Sequence, residues 1–124
     1  MPDTFIIRVE TRFHASHGLK LPNGSKEPSH DHDWRVTAEV GSQKLDTMGI
    51  VISFQKLRAM MNETVSDFDN ASLDSISYFK QNNPSAENVA KYIFEKLRAK
   101  LPDGVNLRGV RVVEEPGCSA EFRQ

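Results

Sequence analysis

The chain has 124 residues, a formal net charge of −1, 27% charged and 38% hydrophobic residues, which is an ordinary globular balance. That balance excludes the basic footprint of a nucleic-acid or anionic-membrane binder, and no apolar run reaches the roughly 20 residues of a membrane span. One cysteine, Cys118, excludes an internal disulfide framework and fits a reducing, cytoplasmic compartment, and the N-terminus lacks the pattern of a signal peptide.

Length points to one domain spanning 1–124. Residues 5–14 alternate, with Phe5, Ile7, Val9, Thr11 and Phe13 on one face and Arg8, Glu10, Arg12 and His14 on the other. That is a half-buried strand. Residues 18–29 hold two glycines, two prolines and an Asn-Gly, so they predict a loop. Alternation resumes over 34–40, with Trp34, Val36, Ala38 and Val40 opposite Arg35, Thr37 and Glu39, and predicts an antiparallel partner for the first strand.

Ser53 can cap a helix whose apolar face is Phe54, Leu57, Met61, Val65 and Phe68. Residues 69–83 read as a polar, mostly irregular connection. Pro84 and Ser85 open a second helix, with Val89, Ile93, Leu97 and Leu101 at four-residue spacing and Pro102-Asp103-Gly104 as its stop. Val105–Val113 predicts a third strand, and Glu121-Phe122 lies in a short fourth after the turn at Pro116-Gly117. The order is ββααββ, an α+β layer with an antiparallel sheet and both helices on one face. Such a sheet leaves two edges open, which favours association edge to edge.

The chemistry concentrates in the segment Lys26–Trp34, KEPSHDHDW. His30 and His32 are two residues apart at a strand start, so they project to the same face and can converge on one ion. The pair alone is weak evidence, because most such pairs are solvated polar residues. The other two histidines, His14 and His17, lie at the end of the first strand, so the hairpin gathers all four near one end. Those two have opposite strand parity, so one of them joins the pair. Three histidines leave a coordination position open, as in a catalytic rather than a structural zinc site. Cys118 has no partner cysteine and reads as a small buried residue rather than a ligand.

Six blocks in order carry a resemblance. They are F-x-A-S-H (Phe13 to His17), H-x-H-x-W (His30 to Trp34), G-I-V-I-S-F-x-x-L (Gly49 to Leu57), F-D-N-x-x-L (Phe68 to Leu73), P-S-A-E-N-V-A-x-Y-I (Pro84 to Ile93) and V-R-V-V-E (Val110 to Glu114). Together they resemble the 6-pyruvoyltetrahydropterin synthase / 6-carboxytetrahydropterin synthase family, whose bacterial members act in queuosine synthesis. The resemblance implies the tunnelling fold, with ββααββ subunits joined into a barrel, usually a homohexamer, and active sites between subunits. It implies Zn2+ on His17, His30 and His32, with His14 outside the ligand set. It implies a 7,8-dihydroneopterin triphosphate-like substrate, with Glu114 accepting the pterin's paired N–H donors and Ser85 near the ring. Beside those roles, Glu114 also reads as a solvated strand-end charge, with Glu115 the lesser candidate, and Ser85 as a helix cap.

The departures from the family pattern are as informative. The loop before H-x-H, Pro22 to Ser29, has no cysteine, and the Asp-His pair of the family's proton relay reads Asp69-Asn70. An asparagine amide does not titrate near neutrality. Asp69 is therefore a catalytic candidate without its partner, and Ser53 stands where the family usually has an aspartate. Glu27 resembles the glutamate of a subgroup that cleaves the side chain to 6-hydroxymethyl-7,8-dihydropterin for folate synthesis, a proton abstraction that a carboxylate near zinc can perform. Three other readings stay open: Glu27 as a solvated loop residue beside Lys26, a zinc- and pterin-binding homologue without efficient turnover, and a small assembly domain with surface histidines. No nucleic-acid or membrane partner is expected.

Overall fold

The computed structural model describes residues 4–124. Strand β1 (Phe5–His17) and strand β2 (His30–Ser42) form a long antiparallel hairpin, both extending beyond the alternating runs that announce them. Helix α1 (Phe54–Val65) follows, capped by the Ser53 hydroxyl, which accepts from the Lys56 N–H. The connection at 69–83 is more ordered than its polar sequence predicts. It holds a two-residue strand β3 (Ala71–Ser72), a single 3₁₀ turn (Leu73–Ser75) and a short helix α2 (Ser77–Gln81). Helix α3 (Ala86–Arg98), strand β4 (Asn106–Glu115) and strand β5 (Cys118–Arg123) complete the chain. The expected α+β architecture is present, with a fifth strand and a third helix added; the added strand β3 runs parallel to β1, so the sheet is mixed rather than wholly antiparallel as expected. The sheet order is β3-β1-β2-β4-β5.

The apolar faces of α1 and α3 cover one face of the sheet. Val9, Phe13, Trp34, Val36, Val110 and Val112 from the strands pack with Leu57, Met61, Ile93 and Leu97 from the helices, and all are buried. Trp34 is the largest fully buried side chain. Its ring stacks on Phe13 with centroids 5.6 Å apart, and its indole N–H donates to the Ala15 carbonyl at 3.2 Å, so its one polar atom is satisfied. Two residues depart from their predicted places. Phe54, at the first helical position, is 58% exposed and lines a surface groove instead of the core. Cys118 is exposed rather than buried, because it opens β5 beside the β4–β5 turn.

Strand β4 contains one residue more than its pairing with β2 requires. Leu107 pairs with Val40 and Gly109 with Glu39, so Arg108 is accommodated in a bulge. The bulge moves the inward parity from Leu107 to Val110, Val112 and Glu114, all on the helix-covered face.

The edges are open. Strand β3 pairs with β1 only at Ala15 and Ser16, which leaves the first ten residues of β1 without a strand partner on that side among the described residues. Beside that edge, exposed Phe5, Leu45, Met48 and Phe54 line an apolar groove of ≈ 570 Å³. Among the described residues no helix is long and apolar enough to cross a membrane.

Candidate metal centre and adjoining cavities

The β1–β2 register builds the centre. His17 lies directly opposite His30, and Ala15 opposite His32. Strand parity then sends His17, His30 and His32 to the helix-covered face, beside the N-terminus of α3. One ligand-capable atom from each of the three lies within 4.8 Å of the others. Trp34 forms their floor, with its ring edge-on to His17 at 5.0 Å and to His32 at 5.8 Å.

Backbone carbonyls fix the imidazoles. His17 Nδ1–H donates to the Pro84 carbonyl at 2.6 Å, and His30 Nδ1–H to the Pro28 carbonyl at 3.2 Å. Each leaves its Nε2 aimed at the cluster, the carbonyl-oriented arrangement of ligating histidines. There the geometry is crowded with lone pairs. His17 Nε2 is 3.0 Å from His30 Nε2 and 3.0 Å from Glu114 Oε1. A proton on His17 can satisfy only one of those neighbours, whereas a cation attracts all of them. Among the described residues His32 Nε2 is buried without a hydrogen-bond partner, a cost that coordination would remove. The three-imidazole donor set therefore fits a borderline-soft divalent cation of the zinc type. His14 is excluded from it, since it lies on the other sheet face with its Nδ1 2.8 Å from Asp33 Oδ1. That hydrogen bond, with the nearby charges of Asp33, Asp31 and Asp69, holds the His14 pKa above the ordinary imidazole value.

Glu114 is brought to the centre, and Oε2 stands 3.9 Å from His32 Nε2. Glu114 borders two cavities. One, of ≈ 280 Å³, is bordered by Leu19, Ser85, Glu87, Glu114 and Cys118. The other, of ≈ 510 Å³, runs around the end of the sheet past Arg12, Asp31, His32, Asp33 and Arg35 to Glu115. Ser85 borders the first cavity while its hydroxyl accepts from the Asn88 N–H, so it is also the cap of α3. Glu87 and Cys118 border that cavity without having been singled out for it. Glu87 could have been found from its place inside the P-S-A-E-N block; nothing in the sequence marks Cys118, because its position depends on the β4–β5 register.

The remaining candidates stand apart from the imidazoles. Glu27 is tied to the segment just after His17: its Oε1 accepts from the Leu19 N–H at 2.9 Å, and its own N–H donates to the Leu19 carbonyl at 2.9 Å. Gly18 fits between because it has no side chain; a Cβ there would meet the Glu27 carbonyl oxygen at 2.7 Å. Among the described residues Glu27 Oε2 makes no hydrogen bond. Asp69 does not reach the cluster, because its Oδ1 accepts the His14 N–H at 2.9 Å.

Comparisons with known proteins identify the family and the fold. A family model described as 6-pyruvoyl tetrahydropterin synthase matches residues 6–124. An Archaeoglobus fulgidus protein, provisionally named 6-carboxy-5,6,7,8-tetrahydropterin synthase, is 33% identical over 126 residues, covering 100% of both chains. The dihydroneopterin monophosphate aldolase of Pyrococcus furiosus is 29% identical over 102 residues, covering 82% of each. The solved 6-pyruvoyl tetrahydropterin synthase of Caenorhabditis elegans superposes with a TM-score of 0.86 at 23% identity, over 98% of this chain and 96% of that one. Matched along almost its whole length, the chain belongs to the 6-pyruvoyl tetrahydropterin synthase family.

Proposed function

We propose that the protein is a zinc-dependent pterin lyase that acts on the side chain of 7,8-dihydroneopterin triphosphate or a closely related dihydropterin. The observation that carries this is the lone-pair crowding around His17 Nε2, with a ligand-capable atom of His17, His30 and His32 each within 4.8 Å of the others and His32 Nε2 unpartnered among the described residues. Bound there, zinc supplies Lewis-acid charge that eases deprotonation of a substrate hydroxyl. The chain's own groups do the rest. Glu114 accepts the donor pair of the pterin ring, a bidentate charge-assisted contact, and Ser85 closes the neighbouring wall. Trp34 keeps the imidazoles from reorienting.

One specific observation favours side-chain cleavage to 6-hydroxymethyl-7,8-dihydropterin. Glu27 is fastened to the Leu19 N–H, two residues after His17 in the chain, and its second oxygen makes no hydrogen bond among the described residues. The aldolase name of the Pyrococcus furiosus relative agrees with that chemistry. In this reading Glu27 removes the hydroxyl proton as the carbon–carbon bond parts. Asp69 acts only indirectly, by holding the main chain of His14. The open β1 edge and the apolar groove beside it support assembly into a homohexamer with sites between subunits.

Zinc-loaded protein incubated with 7,8-dihydroneopterin triphosphate, its monophosphate and dihydroneopterin, followed by mass analysis, tests the reading. A 6-hydroxymethyl product is expected. A 6-pyruvoyl or 6-carboxy product would move the reaction to the elimination branch, and zinc and pterin retained without product would leave a binding protein. Glu27→Gln should cut turnover by about 100-fold with zinc retained; an unchanged rate would make Glu27 a bystander.

A further inference from the structure

We propose that Asn83 is a positioning residue of the metal centre: its side-chain amide holds the segment whose Pro84 carbonyl aims His17. The inference rests on the three-histidine centre of the proposed lyase and adds the group that presets one of its ligands. His17 Nδ1–H donates to the Pro84 carbonyl at 2.6 Å, and both residues are buried. That bond fixes the tautomer and rotation of the imidazole and leaves Nε2 for a cation. The carbonyl comes from 67 residues further along the chain. His30 is different, because the Pro28 carbonyl that holds it lies two residues away on its own loop. The aim of His17 therefore depends on whatever fastens the Pro84 segment to the end of β1.

Asn83 is that fastening. Its Oδ1 accepts the Lys20 N–H at 2.8 Å, and its Nδ2–H donates to the Lys20 carbonyl at 3.1 Å. One side-chain amide thus pairs with both main-chain groups of Lys20, as a neighbouring strand would. The pairing needs a donor and an acceptor side by side; a carboxylate has no donor and an alkyl side chain has neither. The Asn83 carbonyl is held in turn by Asn88, in the first turn of α3, whose Nδ2–H donates to it at 2.9 Å. On the other flank Ser85 accepts the Asn88 N–H. Pro84 lies between these two fixed points with its φ restricted by its ring.

The contacts close a circuit. The main chain runs from His17 through Gly18 and Leu19 to Lys20. The amide pair crosses to Asn83, one peptide bond leads to Pro84, and its carbonyl returns to the His17 ring. Asp74 adds a tie inside the circuit, since its Oδ1 accepts the Gly18 N–H at 3.2 Å. Loss of the amide pair opens the circuit without touching a ligand. His17 then keeps its Nε2 but gains rotational freedom that metal binding has to remove.

Asn82, one residue earlier, supplies the contrast. Its Nδ2–H donates to the Tyr78 carbonyl at 3.0 Å, four residues back on α2. Among the described residues it makes no hydrogen bond to Lys20. It closes a local turn, whereas Asn83 joins two distant parts of the chain beside a ligand.

The test compares wild type, Asn83→Ala, Asn83→Asp and Asn82→Ala. Chelator competition gives zinc affinity, and the visible bands of cobalt-loaded protein report ligand geometry. The His17 Nδ1–H proton resonance of metal-free protein reports the Pro84 bond. Asn83→Ala should bind zinc about 10- to 100-fold more weakly, with altered cobalt bands and the Nδ1–H resonance lost to exchange. Asn83→Asp keeps the acceptor and loses the donor, so its affinity should fall between; it decides the question should Asn83→Ala fail to fold. Asn82→Ala should keep the wild-type affinity, bands and resonance. Asn83 variants that lose thermal stability with zinc affinity and cobalt bands unchanged would overturn the assignment, as would an equal loss of affinity in Asn82→Ala. Collapse of both Asn83 variants would assign the residue to the fold alone and overturn it too. Wild type that takes up neither metal would instead overturn the three-histidine centre itself.

Discussion

His14 and His17 are three residues apart on one strand and live in opposite worlds. His17 is 1% exposed, edge-on to Trp34, with its Nδ1–H on a backbone carbonyl and its Nε2 among lone pairs. His14 is solvated, paired with a carboxylate and held above its ordinary pKa. The residue type is the same; the two-residue alternation of β1 assigns one to a site that wants a cation and the other to a site that wants a proton. Chemistry here is set by strand parity and by which atom each imidazole's neighbour presents.

The sharpest way to break the comparison is to remove a ligand. His30→Ala should abolish stoichiometric zinc, read by elemental analysis, whereas His14→Ala should keep it; zinc retained in the first variant would end the three-histidine assignment. Next in size, Trp34→Ala removes the floor beneath His17 and His32 and should cost about 3–5 kcal/mol in denaturant unfolding. A loss below 1 kcal/mol would mean that the centre does not depend on that ring. Glu114→Gln should weaken pterin retention by about tenfold or more, since one charge-assisted contact is lost, and should leave zinc bound. Zinc lost from this variant would make Glu114 a ligand instead of the ring anchor. The smallest effect separates the other face. Because the folded-state pKa of His14 lies above 6.5, its stabilising contribution is complete below that value and disappears as pH rises through the folded pKa. Thermal midpoints of wild type should carry this step and those of His14→Gln should not; identical pH curves would remove the Asp33–His14 pair from the stability account.

Much of this was legible beforehand, for reasons particular to each element. Alternation over 5–14 and 34–40 announces the hairpin because one face of each strand is buried, and Ser53 and Ser85 mark helix starts because their hydroxyls have backbone N–H groups to accept from. The three-imidazole cluster follows from the hairpin register once His17 is chosen. The short elements in 69–83 were not legible, since β3 has only two residues and α2 five, too few to show a period. Nor was the exposure of Cys118, or the closeness of Glu114 to His17, because both depend on how β4 and β5 register against the hairpin. Glu27 was visible as a residue but not as one fastened to the Leu19 amide, a contact that exists only when the loop folds back on itself.

The bulge at Arg108 has a consequence for the chain's history. It is slack in the strand: one spare residue stored where it does no harm. A one-codon deletion upstream of Glu114 can be absorbed by straightening it, and the carboxylate still faces the histidines. Straightening without a deletion would turn Glu115 inward in its place. The length of β4 can thus drift by a residue without the centre losing its acidic neighbour, and lineages that keep the spare residue keep that tolerance.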